Sequence, residues 1–240
     1  MQRNESRIEE VSLKDLERIC KDAKEYGINL ILIGGYAVRA FTNERSWRFT
    51  KDIDFITKRK DLTALRGVFD SLKYSFEKTE YGVKGGKKIN KESIELHISV
   101  DKVIDWSTGL EYVLLEDVFK KAVETTIKPY FEENRKIEVG VKAAPVEDIL
   151  IMKLMTERMR DHFDAITIII DSFEKLDMER FWRNYGQSNL EQHIRRRLNS
   201  FLADIKKGLI KKLWKEFTGR EFIREQEVIL KNKINKILEK

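Results

Sequence analysis

A single cysteine, Cys20, stands among 240 residues, so no intrachain disulfide can staple this chain. No basic, apolar and small-residue segment of the secretory kind opens it, and the two absences together point to a reducing, cytoplasmic setting. No run of about 18 apolar residues exists, which excludes a membrane-spanning helix. Three histidines are too few for the paired histidine clusters of metal hydrolases. Charge, by contrast, is plentiful. With 37% charged, 41% hydrophobic and 10% aromatic residues, the composition is that of a folded protein with a heavily ionised surface, long enough for one large or two small domains.

The net charge of +6 is unevenly distributed. Residues 188–240 hold 14 lysines and arginines against 7 acidic residues, which leaves the first 187 residues one charge negative. A basic tail of this kind suits a polyanionic partner, although solvated helix faces also carry lysine.

Periodicity gives an α+β order. Ser12 and Asp15 read as a helix start, followed by Leu13, Leu16, Ile19, Cys20 and Ala23 on one face, with Cys20 expected in the core. The run Ile28 to Ile33 reads as a buried strand that stops at Gly34-Gly35 before a short helix, Tyr36 to Phe41. A second strand is predicted at Asp52 to Thr57, a helix at Asp61 to Leu72, and a glycine- and lysine-rich hairpin or loop at Glu80 to Lys91. Ile94, Leu96, Ile98 and Val100 then alternate with Glu95 and His97, the pattern of a half-buried strand. A further strand is predicted at Lys136 to Lys142. Pro145 suits the first turn of a helix carrying Ile149, Leu150, Lys153 and Leu154. Beyond it the pattern is helical, with one apolar stripe from Ile194 to Phe217. These readings divide the chain into a core, residues 1–145, and a helical C-terminal domain, residues 146–240.

The chemistry gathers in the first hundred residues. A strand ending in two glycines before a helix brings bare backbone amides to a ligand, where the helix dipole favours phosphate. Gly34-Gly35 alone is equally an ordinary tight turn. Asp52 and Asp54 supply the missing half: at period-two spacing both carboxylates share one strand face, and such a pair repels unless a divalent cation lies between. Magnesium takes oxygen ligands of this kind and leaves its other positions to water and substrate phosphates.

Gly34-Gly35, a helix and the segment Arg48-Phe49-Thr50-Lys51-Asp52-Ile53-Asp54 resemble the DNA polymerase beta-type nucleotidyltransferase superfamily. The RxTxDID form is similar to the AbiEii/AbiGii-like nucleotidyltransferases, which include toxins of the MenT kind. Lys153 with Arg158, Arg160, Asp161 and Asp164 resembles the lysine-then-RDxxD helical segment of such proteins, with fewer residues between the lysine and the aspartates. The resemblance covers about residues 28–171. It implies a nucleotidyltransferase fold, a mixed β-sheet flanked by helices followed by an α-helical domain, and transfer of a nucleoside monophosphate from an NTP, ATP among them. It implies magnesium or manganese on Asp52 and Asp54, with a third carboxylate on a neighbouring strand. Glu95 is the candidate, with Asp101 and Asp105 as fallbacks, and His97 shares its face. Lys153 would reach the triphosphate, while Gly34, Gly35, Arg48, Thr50, Asp161 and Asp164 would line or brace the nucleotide site. Arg160 and Asp161 can equally form an internal ion pair. The implied acceptor is RNA, specifically the 3′ end of tRNA, with a protein hydroxyl as the other acceptor, a cognate antitoxin as a partner, and a silent binding module as the non-enzymatic alternative. On the RNA reading, Arg195, Arg196, Arg197, Lys206, Lys207, Lys211 and Lys212 are expected to line a groove along the backbone.

Overall fold

The computed structural model describes residues 2–239. The apolar face that contains Leu13 and Leu16 extends back to Ile8, so the first helix, α1 (Gln2–Glu25), begins ten residues before the expected cap. Ser12 does not cap it because its hydroxyl is used elsewhere, donating to the carbonyl of Lys51 at 2.6 Å. Cys20 is half-buried at the edge of that face. Burial, followed by the nearby Glu124 carboxylate, pushes its thiol up to about 12.

The amide of Ile28 closes the end of α1 on Ala23, which shortens the predicted strand to β1 (Ile31–Ile33). Next come α2 (Gly34–Phe41), β2 (Ile53–Ile56) and α3 (Leu65–Ser71). The segment Glu80 to Lys91 is mostly strand. β3 (Glu77–Thr79), β4 (Gly82–Ile89) and β5 (Glu92–Ser99) form successive antiparallel pairs, with Asn90 at φ +58° in the second turn. Gly85 is required within β4, where a Cβ would lie 1.8 Å from the Ser75 carbonyl oxygen. After a ribbon of β6 (Lys102–Asp105) and β7 (Leu110–Val113) come α4 (Glu116–Lys120), β8 (Val123–Ile127) and β9 (Val139–Ala143).

Seven strands form one mixed sheet in the order β3-β4-β5-β2-β1-β9-β8. β2 lies at its middle, antiparallel to β1 and parallel to β5. The chain folds as two compact units. The first comprises the residues up to Ala40, Phe49–Val103 and Leu114–Pro145, and the second comprises Phe41–Arg48, Ile104–Val113 and the residues from Val146 onward.

The second unit holds six helices: α5 (Val146–Leu154), α6 (Met159–Ser172), α7 (Met178–Gln187), α8 (Glu191–Lys206), α9 (Leu209–Thr218) and α10 (Arg224–Leu238). Every residue of α5 is buried, charged ones included. Asp148 accepts from Tyr112, Arg180 and Asn184, so the burial of its charge is offset by partners on all sides. The predicted single stripe from Ile194 to Phe217 is split at Gly208. There φ is +70°, a conformation that ends α8 and lets α9 leave in a new direction. This is the expected α+β architecture, a mixed sheet with flanking helices and a helical C-terminal part. Among the described residues no helix is long and apolar enough to cross a membrane.

Candidate active site

Ile53 and Phe55 are buried in the sheet, so the alternate positions of β2 present Asp54, and Asp52 just before it, on the opposite face. The parallel register puts His97 beside Asp54 and Leu96 beside Ile53, which aligns Glu95 with Asp52. The Glu95 amide donates to Oδ1 of Asp52 at 3.2 Å. Nδ1 of His97 lies 3.3 Å from Oδ1 of Asp54, and its Nε2 lies 3.5 Å from Oε2 of Glu95. Three carboxylates and an imidazole therefore share one patch of sheet.

Gly34 and Asp54 meet at the end of β1, where Ile33 is paired with Asp54. Gly34 has φ +71°, and a Cβ there would stand 2.1 Å from Oδ2 of Asp54. Both the backbone conformation and the space require glycine, so Gly34 has a steric duty toward the carboxylate in addition to any phosphate role. Gly34→Ala is expected to displace the Asp54 carboxylate and lower nucleotidyl transfer at least about tenfold, with about 1–3 kcal/mol lost in thermal unfolding. Wild-type activity in that variant would remove the contact from the functional argument.

Sequence reading missed the strut that fixes Asp52. Tyr36, buried in the first turns of α2, donates its hydroxyl to Ser12 Oγ at 2.9 Å, and Ser12 donates to the carbonyl of Lys51. The three residues are 24 and 15 positions apart along the chain, so no local pattern announces them. Thr50 is half-buried in the extended segment just before Asp52.

The patch is electrostatically loaded. Burial raises the Asp52 carboxyl, the Glu95 amide partly offsets this, and Asp54 and Glu95 add repulsion. The hydrogen bond to Asp54 raises His97 against its own desolvation. Among the described residues no group of three or more His, Cys, Asp or Glu side chains surrounds a common metal position. Magnesium carried by a nucleotide requires none, since one or two carboxylates hold it while phosphate oxygens and water complete the shell. Asp52 and Asp54 are a donor pair of that kind, and the repulsion between them fits a divalent ion. Asp101 is paired with Arg59 and Asp105 is enclosed in the β6-β7 turn, so neither fallback lies in the patch.

The second unit holds a charge cluster of its own. Asp161 and Asp164 lie one turn apart on α6, and Lys153 on the last turn of α5 places Nζ 2.5 Å from Asp161 Oδ1 and 2.8 Å from Asp164 Oδ2. Arg48 grips Asp164 with two bonds, 2.8 Å from Nε and 2.7 Å from Nη2, and Arg158 Nε is 2.6 Å from Asp161. The ion pair considered for Arg160 is thus made by Arg158, because Arg160 points to solvent one position round the helix. Burial pushes the Asp161 carboxyl up, but Lys153 and Arg158 pull it further down, to about 2. Lys153 loses to desolvation and gains more from the two aspartates, so it remains charged. Lys153 and Arg48 balance the two carboxylates inside the protein, and the exposed Arg158 adds a third cation at the edge of the cluster.

Residues 18–232 match the model of the family described as nucleotidyl transferase AbiEii toxin, type IV TA system. The chain belongs to this family. Membership in the AbiEii family makes it a nucleotidyltransferase. JHP933 from Helicobacter pylori is similar over 94% of this chain and 90% of its own, with 17% identity and a TM-score of 0.53, a likeness of fold. ANT(2″)-Ia in complex with adenylyl-2″-tobramycin is similar over 75% of this chain and 98% of its own, at 15% identity and a TM-score of 0.48. Lincosamide antibiotic adenylyltransferase LnuA with lincomycin bound is similar over 65% and 94%, at 17% identity and 0.40. No curated protein matches the chain.

Proposed function

We propose that this AbiEii-family chain moves a nucleoside monophosphate from an NTP to a hydroxyl of RNA, at the 3′ end of tRNA, in the cytoplasm. The observation that carries this is the patch of Asp52, Asp54 and Glu95 on adjacent strands with Gly34 packed against it. Asp52 and Asp54 would hold magnesium or manganese, which when bound supplies charge neutralisation on the triphosphate. Glu95 takes the proton of the acceptor hydroxyl as its oxygen attacks the α-phosphorus; the α–β phosphoanhydride bond breaks and pyrophosphate leaves. Gly34 and Gly35 offer backbone amides to phosphate. Lys153 spends two of its three N–H donors on Asp161 and Asp164 and has the third for a phosphate oxygen, with Arg48 bracing Asp164. The family's description as a type IV toxin supports a cognate antitoxin as a partner.

Charge supports the RNA acceptor, with a different residue set from the one the sequence suggested. Arg197 is bound to Glu157 and the Thr156 carbonyl, and Arg195 to Glu191 and the Leu238 carbonyl. Lys211 pairs with Glu227 at 2.9 Å. Arg196, Lys206, Lys207 and Lys212 are the exposed members outside these ion pairs. The test supplies each α-labelled NTP with total RNA and protein. Label on tRNA with equimolar pyrophosphate is expected, and reversal of those four residues to glutamate weakens tRNA binding and flattens its salt dependence. Label on protein alone, with the salt dependence unaltered in that variant, would replace RNA with a protein hydroxyl.

A further inference from the structure

Trp106 is 81% exposed, whereas Trp47 and Trp214 are 8% and 2% exposed. It stands at the tip of the β6-β7 ribbon on a turn built to hold it. The Asp105 carboxylate, itself 6% exposed, accepts on one oxygen from Ser107 Oγ at 2.7 Å, Thr108 Oγ1 at 2.7 Å and the Thr108 amide at 3.2 Å. The Gly109 amide closes the turn on the Asp105 carbonyl at 2.8 Å, with Gly109 at φ +70°. Thr108 Oγ1 also reaches the Met155 carbonyl at 3.5 Å, which ties the turn to α5. An indole displayed on a fixed turn binds a partner without the cost of ordering a loop.

The surroundings select the partner. A protein contact centred on tryptophan sits within a contiguous apolar patch, yet this ring is followed by Ser107, Thr108 and Gly109. A planar ligand needs the ring face alone, and every nucleobase has such a face. The turn is tied to α5 at the Met155 carbonyl and Arg197 of the basic segment is bonded to the next carbonyl, that of Thr156, so the basic helix α8 lies beside the turn and a polyanion is the complementary partner. We infer that Trp106 is a stacking platform for an unpaired base of the RNA acceptor; this rests on the RNA reading of the proposed function.

The test measures tRNA binding over a range of salt for the full chain, Trp106→Ala and Trp106→Phe, together with acrylamide quenching of tryptophan emission. Trp106→Ala is expected to bind about 5- to 100-fold more weakly with its salt slope unchanged, because a stacked base and no phosphate contact is lost. Trp106→Phe should recover most of that affinity, and tRNA should shield the exposed emission of the full chain. If the full chain binds tRNA and Trp106→Ala binds it equally well, the platform is refuted while the RNA acceptor stands. If the full chain does not bind tRNA and labels protein instead, the acceptor reading falls and takes the platform with it. A changed oligomeric state in Trp106→Ala, with RNA affinity intact, would make the ring a protein contact and overturn the inference.

Discussion

Asp54→Asn is expected to lower the rate of nucleotidyl transfer by about a thousandfold or more, since roughly 4 kcal/mol of transition-state stabilisation disappears with a divalent ion at the triphosphate. Asp52→Asn should do the same. Neither should unfold the protein. Asp52 lies in a patch where burial and the charges of Asp54 and Glu95 already oppose its ionisation, so neutralising either aspartate relieves repulsion and, at a pH where His97 is neutral, leaves Tm unchanged or slightly raised. The imidazole gives a second readout. His97 titrates above its ordinary value chiefly because it is hydrogen-bonded to Asp54. A folded-state value above the unfolded one adds stability that is present at low pH and is lost as pH rises through the raised value. In Asp54→Asn that contribution vanishes, and the His97 ring signal in a proton NMR titration should move to lower pH. Unchanged turnover in either variant would end the assignment of the metal pair.

Asp164→Ala should be among the most damaging single substitutions for stability. The carboxylate holds the Arg48 guanidinium by two bonds and the Lys153 ammonium by a third, with all three side chains largely buried. Removing it takes both of these bonds from Arg48 and one of the two carboxylates that Lys153 holds, a loss of about 3–5 kcal/mol. Lys153→Met is expected to cost distinctly less, because Arg48 and Arg158 remain on the two aspartates and a methionine fills similar volume. Acid distinguishes this cluster from the catalytic patch. The Asp161 carboxyl is depressed to about 2 in the folded chain, so its contribution is complete above the unfolded carboxylate range and is lost as pH falls toward 2. Urea unfolding of the full chain between pH 5 and 2, beside the same series for Asp161→Asn, measures it; parallel curves would show that the pairing adds nothing.

The parts of this structure visible in the sequence are those written in local periodicity. Alternation placed Glu95 and His97 on one strand face, and the Asp-x-Asp spacing placed two carboxylates on another, because a strand reverses its side chains at every residue. The parallel register that unites the two pairs is long-range and has no local signature. Ser12 carries the signature of a helix cap and serves instead as a bracket for Lys51, a tertiary use that overrides local propensity. The same limit left Glu80 to Lys91 open between hairpin and loop, because only the close packing of Gly85 against Ser75 shows why the glycine sits in a strand. Asp105 is a short polar turn residue in sequence, and only its three donors show the turn to be rigid.

The thiol of Cys20 is held protonated by burial and a neighbouring carboxylate, far above the pH of any labelling reaction. Maleimide is therefore expected to react with Cys20 far more slowly than with an exposed thiol. A single cysteine introduced at Lys212 would take one fluorophore at a chosen address, without a background mutation in α1. Dye placed there would report RNA arrival in real time on an otherwise native protein.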